Sequence, residues 1–472
     1  MRNCLHAPPL RWHLWTRRLH SPPSHPAKQR IVVIGSGWGG YSFLKDIDYS
    51  KYDVRVISPV NHFLFTPLLP STAVGTLDCH VIQEPVRTIR GIAGYYQAKA
   101  KHIDLSERRV TALDIFKEQA VTLGYDYLIL ACGLKTGTFG IPGVHEGREL
   151  YFLKHLQHSS RLRQRILECF ERASMAQDEG ARRTLLTFVV VGGGPTSVEF
   201  VGELEDFLAD DVSRWCATAR CHSEPRVTCN GSARRYPELS GSVSVYLIEA
   251  APHILNSFDA ALSTLIRSQL SRRRVIVRTS VSVTSFDAGS KLVHLSDGSS
   301  ISSACVVWNA GLQPVKLMTE GLAPLCKGAG GRIVVDDQLR VAAPESGGRV
   351  FAIGDCAIDP NKPCPPIAQA AKQQGRHLAR AFNAAPVACA ENDGACVQVD
   401  AFTLRHMGSM VTWGGFKGAV DLHIVGQSGH ERNLGVVAGT AAYLMWRSAY
   451  WGMQTSWANK LLIPMYWFKA FV

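Results

Sequence analysis

Apolar runs that break off into glycine clusters set the pattern of this chain. Ile31-Val-Val-Ile34 leads into Gly35-Ser-Gly37-Trp-Gly-Gly40, and Phe188-Val-Val-Val191 leads into Gly192-Gly-Gly194-Pro-Thr-Ser197, the first glycines lying 157 positions apart. Short uninterrupted apolar runs suit strands buried on both faces, as in a parallel sheet. Similar runs recur at Val54–Ile57, Tyr125–Gly133, Val245–Glu249, Arg274–Arg278, Ser303–Gly311 and Val350–Asp355, while residues 154–186 are helix-like and charged. Each glycine cluster thus predicts a strand, a tight turn and a helix. Gly35 and Gly192 make the turn, Gly37 and Gly194 let backbone N–H groups approach a pyrophosphate, and a small third residue such as Gly40 lets the helix lie close. The diphosphate would rest on the positive helix end. Two such units predict an α/β fold of two nested, doubly wound, Rossmann-like dinucleotide-binding domains, one split in sequence by the other.

The remaining pattern is irregular. Residues 206–243 are polar and cysteine-containing and read as an insertion, and residues 384–399 read as a linker. From Tyr443, the positions Trp446, Tyr450, Met453, Trp457 and Leu461 step by three or four, predicting one helical stripe with Arg447 and Lys460 on its flanks. Four of the ten tryptophans fall in the last 27 residues, and no acid follows Glu431. Such a stripe suits a helix lying in a membrane interface, or one packed on the protein's own core or a dimer mate. The expected division is a leader at 1–28, a first dinucleotide domain at 29–160 and 316–395, a second at 161–315, and a C-terminal membrane-anchoring or dimerisation region at 396–472.

Charge changes this picture only at the N-terminus. The formal net charge of +12 rests on 51 Lys and Arg against 39 acids. Six of those basic residues lie in the first 30 positions, leaving 45 against 39, and the first acid of the chain is Asp46. Arg2, Arg11, Arg17 and Arg18 interleaved with Trp12, Leu14, Trp15, Ser21 and Ser24 form the composition of a mitochondrial transit peptide, or of a basic tail. The triplet Arg272–Arg274 reads as a solvated face; no nucleic-acid motif and no EF-hand loop is visible. Thirteen cysteines without a framework spacing argue for reduced thiols, and the Cys216, Cys221 pair reads as incidental. The longest uncharged stretch, Val56–Leu77, is broken by Pro59, Pro67 and Pro70, so no spanning helix is predicted.

Candidate chemistry lies at the strand ends. Glu249 ends the strand after the second loop, where a carboxylate bonds both ribose hydroxyls and repels a 2′-phosphate, predicting NADH over NADPH. The corresponding position of the first unit is Ser58, which makes ribose contact there weaker, or is simply a strand end. Asp355, closing Val350-Phe-Ala-Ile-Gly-Asp355, can accept a bond from a ribitol hydroxyl of FAD.

Over nearly residues 30–470 the chain resembles the type II NADH dehydrogenases, the single-subunit, non-proton-pumping NADH:quinone oxidoreductases. The likeness is carried by Gly35–Gly40, Asn61-His-Phe-Leu-Phe-Thr-Pro-Leu-Leu-Pro-Ser71, Leu130–Gly133, Val191–Phe200, Trp308-Asn-Ala-Gly311, Phe351–Asp355 and Ile367-Ala-Gln-Ala-Ala-Lys-Gln-Gln374. The resemblance implies that Gly35, Gly37 and Gly40 hold the FAD diphosphate, that Thr66, Pro67, Leu68 and Gly133 border the flavin, and that Asp355 binds its ribityl chain. It implies further that Gly192 and Gly194, with the Gly311 motif, serve NADH, that Glu199 reaches the nicotinamide, and that Gln369 and Gln373 lie beside a ubiquinone head group. Glu199 could otherwise be a solvated helix residue, and the two glutamines could cap backbone groups. Ser197 replaces the usual glycine, Val60 a commonly basic residue, and Lys372 a common histidine; Lys372 would stabilise a quinol anion or face solvent. The implied partners are NADH and quinone, with peripheral attachment to the mitochondrial inner membrane and a homodimer. A sulfide:quinone oxidoreductase, using Cys132 and Cys356, and a flavoprotein of the apoptosis-inducing-factor type are the alternatives.

Overall fold

The computed structural model describes residues 28–116, 119–147, 149–209, 236, 239, 241–325, 327–386, 397–425 and 431–471. The leader before residue 28, Cys216 with Cys221, most of the 206–243 insertion and the middle of the 384–399 linker lie outside the described residues.

Two parallel sheets carry the two glycine loops. In the first, the strand Gln29–Ile34 lies between Tyr52–Ser58 and Tyr127–Leu130, and Val350–Ala352 adds beyond the latter, all parallel. Gly94–Asp104 continues this sheet and turns it into an antiparallel ribbon with Arg109–Asp114 and Ala120–Gly124. The second sheet is parallel throughout, in the order Leu150–Phe152, Cys305–Trp308, Thr187–Val191, Ser244–Ile248, Val275–Arg278. The central strands of both sheets are buried on both faces, which is why they read as unbroken apolar runs.

Helices cover these sheets. They are α1 (Trp38–Asp46), α2 (Leu69–Val74), α3 (Leu156–Met175), α4 (Glu179–Leu185), α5 (Pro195–Phe207), α6 (Ala260–Arg272) and α7 (Ala368–Ala384). Helices α1 and α7 pack together closely, since a Cβ on Gly375 would stand 2.3 Å from the Gly39 carbonyl oxygen. Short strands Lys135–Thr136 and Leu312–Gln313 pair antiparallel, so the chain's two passages between the sheets run side by side.

Three expectations need correction. Leu150–Phe152 pairs in the second sheet, so the hand-over between units falls before residue 150 rather than at 160, inside α3. The region after residue 396 is not helical alone: His406–Gly414, Lys417–Val425 and Glu431–Gly439 form an antiparallel sheet before α8 (Thr440–Gly452) and α9 (Trp457–Phe471). The stripe from Trp446 to Leu461 is also split, because the chain leaves the helix between α8 and α9. Trp446 is then 3% exposed and sits in the core, whereas Trp457 and Leu461 are 79% and 68% exposed. Glu84 fixes the break by accepting from the backbone N–H groups of Thr455 (3.3 Å) and Ser456 (3.1 Å) at the start of α9. None of the helices among the described residues is long and apolar enough to cross a membrane.

Candidate active site

The first loop opens at the carboxyl ends of the parallel strands, where ligands of such sheets bind. Gly35 has φ +106, and a Cβ there would lie 2.2 Å from the Ala131 carbonyl oxygen. Only glycine fits, so the turn is fixed by contact between adjacent strand ends. Gly37 and Gly133 are the opposite case: added Cβ atoms would meet nothing within 4 Å and would project into open space. That space is a cradle into which a diphosphate and its ring can enter. Trp38 at the start of α1 donates from Nε1 to Thr66 Oγ1 at 3.0 Å, fixing the Thr66–Leu68 turn, and the hydroxyls of Ser36 and Ser58 meet at 2.9 Å. Ser58 is thus committed to the loop itself. Gly354 N donates to Gln374 Oε1 at 2.7 Å, setting the turn that carries Asp355; burial raises the Asp355 carboxyl while Lys154 and Arg332 oppose that rise. Gly35, Gly37, Gly40, Ser58, Thr66–Leu68, Gly133 and Asp355 therefore gather at one end of the first sheet.

The second loop repeats the design with an added carboxylate. Gly192 has φ +102 and leaves room for the backbone of Asn309 and Ala310 at 3.1 Å, while Gly194 faces open space at the start of α5. Glu249 Oε2 accepts from Gly193 N, and its Oε1 accepts from Ala251 N at 2.8 Å, so the strand-end acid stands against the loop as read from the sequence. Two buried polar atoms beside this loop, Ser197 Oγ and Asn309 Nδ2, have no partner among the described residues, which leaves bonding capacity for a ligand. Gly311 takes φ +72 beneath the Phe139 ring, whose nearest atom stands 2.2 Å from where a Cβ would be.

Helix α5 carries a buried carboxyl from this loop toward the C-terminal region. Glu199 is 6% exposed and accepts from Trp446 Nε1 at 3.1 Å. Burial pushes its carboxyl up to about 8, against the pull of the Trp446 indole and the Thr412 amide. It is therefore buried rather than solvated, and its carboxyl favours the protonated form at neutral pH. One turn on, Glu203 accepts from Ser71 Oγ at 2.8 Å and Thr76 Oγ1 at 2.6 Å, and burial raises it too. The i, i+4 spacing of these two acids is legible in the sequence; their dry surroundings are not.

Gln369 and Gln373 serve the backbone. Gln369 Nε2 donates to Gly408 O at 2.9 Å and Oε1 accepts from Met407 N at 3.2 Å; Gln373 Nε2 donates to Arg405 O at 2.9 Å and Oε1 accepts from Arg405 N at 3.0 Å. The capping alternative thus describes what their amides do, and α7 holds the first strand of the C-terminal sheet through them. Lys372, between them, is lowered by burial and by Arg376. Cys356 donates to the carbonyls of Leu130 (3.5 Å) and Ile353 (3.3 Å), and its hydrogen bond with Cys132 holds the thiol below its usual range.

Residues 29–375 match the family of pyridine nucleotide-disulphide oxidoreductases. The chain is 35% identical over 448 residues to a probable NADH dehydrogenase of Dictyostelium discoideum, covering 94% of this chain and 90% of that protein. It is 33% identical to the mitochondrial external NADH-ubiquinone oxidoreductase 2 of Saccharomyces cerevisiae, covering 94% and 81%. The structure of NDH2 from Plasmodium falciparum in complex with NADH superimposes with a TM-score of 0.80 over 94% of this chain and 98% of that one, at 24% identity, a likeness of fold. The chain belongs to the pyridine nucleotide-disulphide oxidoreductase family and, within it, to the type II NADH dehydrogenases.

Proposed function

We propose that this protein is a mitochondrial FAD-dependent NADH:ubiquinone oxidoreductase that works without proton pumping. The observation that carries the reading is the pair of glycine loops at parallel strand ends, joined by α5 to a buried carboxyl that the C-terminal region covers. FAD, held by Gly35, Gly37, Gly133 and Asp355, would supply the two-electron chemistry that links the reduced nicotinamide to the quinone. The chain's own residues bind and orient. Gly35, Gly37 and the N-terminus of α1 receive the FAD diphosphate, Gly133 and the Thr66–Leu68 turn leave room for the ring, and Asp355 meets the ribityl chain. Gly192, Gly194 and the N-terminus of α5 receive the NADH diphosphate, with Glu249 beside the ribose and Gly311 at the passage between the sheets. Glu199 holds a proton at its carboxyl at neutral pH, in a dry setting made by Trp446 and Tyr450. Gln369 and Gln373 line the seam where the C-terminal sheet meets α7, the side from which a quinone would enter, while Lys372 on the same helix stands near Arg376 and Asp46.

The acceptor is lipid-soluble, and the C-terminal helices supply a docking face. Leu444, Met445, Trp451, Trp457, Leu461 and Met465 are exposed along α8 and α9, with Lys460 and Lys469 beside them. An apolar face with cations and no acids fits the surface of an anionic bilayer. The Leu461→Asp, Met465→Asp variant is expected to stop floating with anionic vesicles while still oxidising NADH with a soluble acceptor; a change of oligomeric state instead would show that a second copy covers this face. The proposed activity itself is tested by anaerobic stopped-flow. NADH should bleach a bound flavin, NADPH much less, and added quinone should restore the colour; a colourless protein that FAD does not reconstitute overturns the reading. Sulfide as donor in the same assay tests the Cys132 and Cys356 thiols.

A further inference from the structure

Helix α2 belongs to the first unit, yet it packs between α3 and α5 of the second. It follows the Thr66–Leu68 turn without a break, so any shift of α2 moves the flavin-side turn with it. All six of its residues are buried, and Leu69 and Ala73 share one apolar core with Leu162 of α3 and Val201 of α5. Apolar contact is non-directional, so this packing holds α2 without fixing its rotation or its position along the seam. Polar contacts fix both. Toward α3, the hydroxyls of Thr72 and Ser159 meet at 2.5 Å. Toward α5, Glu203 engages α2 with both carboxylate oxygens: Oε1 accepts from Ser71 Oγ at 2.8 Å, and Oε2 accepts from Thr76 Oγ1 at 2.6 Å, just beyond the Gly75 cap. Two bonds to separate oxygens set orientation as well as distance. Glu203 itself stands about two turns into α5, whose N-terminus carries the second glycine loop. One side chain therefore ties the turn beside the first cleft to the helix that opens the second.

We propose that Glu203 is a positioning residue for hydride transfer, its two hydrogen bonds to α2 setting the separation between the flavin-side turn of the first unit and the nicotinamide loop of the second. The inference rests on the reading that FAD and NADH occupy the two clefts. The hydride carries both electrons from the dihydronicotinamide to the flavin, and Glu203 neither gives nor takes a proton in that step. Such a transfer needs the reacting atoms held about 3–3.5 Å apart, a tolerance finer than an apolar seam supplies.

The test uses purified holoprotein with Glu203→Ala, which removes both bonds, Glu203→Gln, which keeps the shape and an acceptor, and Ser71→Ala, which removes one bond from the opposite side. Anaerobic bleaching of the flavin by NADH gives an affinity from its saturation and a limiting rate from its plateau. The long-wavelength absorbance of NAD+ stacked on the reduced flavin reports ring contact without turnover. Glu203→Ala is expected to retain FAD, to keep NADH affinity within about twofold, and to lose about tenfold in limiting rate together with most of the absorbance band. Glu203→Gln should restore most of both, and Ser71→Ala should fall between Glu203→Ala and the parent. A parent-like rate and band in a fully loaded Glu203→Ala variant overturn the inference. So does an equal loss in Glu203→Gln, which would make charge rather than position the role, or a loss confined to NADH affinity, which would make Glu203 a binding residue. Where Glu203→Ala does not fold, a parent-like rate and band in Ser71→Ala overturn the inference in its place. A parent protein that holds no flavin, or whose flavin NADH does not bleach, overturns the functional reading instead.

Discussion

Glu199 shows how one side chain couples stability to chemistry. Below about 4.5, its ordinary value, the carboxyl is protonated in folded and unfolded chains alike. Between there and about 8 the folded protein keeps a proton that the unfolded chain releases, so stability falls as pH rises across that window. Above about 8 both states are ionised and the penalty levels off. Glu199→Gln is expected to remove this slope, melting above the parent at alkaline pH and level with it at about pH 4, a difference of order a few kcal/mol at most. Thermal melts across that range check it. Glu249 makes a second prediction. Glu249→Gln removes the negative charge facing a 2′-phosphate and weakens the acceptor that Gly193 and Ala251 share. The ratio of kcat/KM for NADPH to that for NADH should rise about tenfold, with FAD retained, and an unchanged preference would remove its assigned role.

At the scale of elements, α7 is held to the C-terminal sheet by the side-chain amides of Gln369 and Gln373, spaced four apart so that both reach the same strand. Each makes two hydrogen bonds with backbone groups, as a neighbouring strand would. Replacing both by leucine strands those backbone groups at a cost of about 1 kcal/mol per bond. The double variant should melt earlier and be cleaved by protease within residues 397–410 first. A pure quinone contact would instead raise the quinone KM and leave melting unmoved. The split of the aromatic stripe has a similar origin: Glu84 supplies acceptors for the first N–H groups of α9, and Tyr41, stacked on Phe63 at 4.3 Å, donates to the same carboxylate at 2.5 Å. Nothing in the three-or-four spacing of residues 446–461 announces a carboxylate more than 360 positions away.

At the scale of the molecule, the contact between α5 and the strand His406–Gly414 joins the second dinucleotide unit to the C-terminal region. Gly202 makes it possible, since a Cβ there would stand 2.3 Å from the backbone carbon of Trp413. Gly202→Ala should push that strand outward, costing about 1–3 kcal/mol, and loosen the bond from Trp446 to Glu199. A lower melting temperature with a red shift of tryptophan emission, while FAD stays bound, is the expected result; an unchanged spectrum would show that the contact yields without disturbing α8.

What was legible from the chain follows from short-range physics. A glycine that must take positive φ after a buried strand, an acid at a strand end and an apolar run too short to span a bilayer are decided within about ten residues, so Gly35, Gly192 and Glu249 stood out before any coordinates. The strand Leu150–Phe152, just ahead of the helix-like residues 154–186, went unread because three residues carry no period. Tertiary structure alone decided that Glu199 is dry, that the two glutamines hold backbone, and that the C-terminal stripe divides between core and surface. Those properties depend on desolvation and on partners hundreds of positions apart, such as Trp446 on Glu199, and burial is a property of the packed whole that no local pattern encodes.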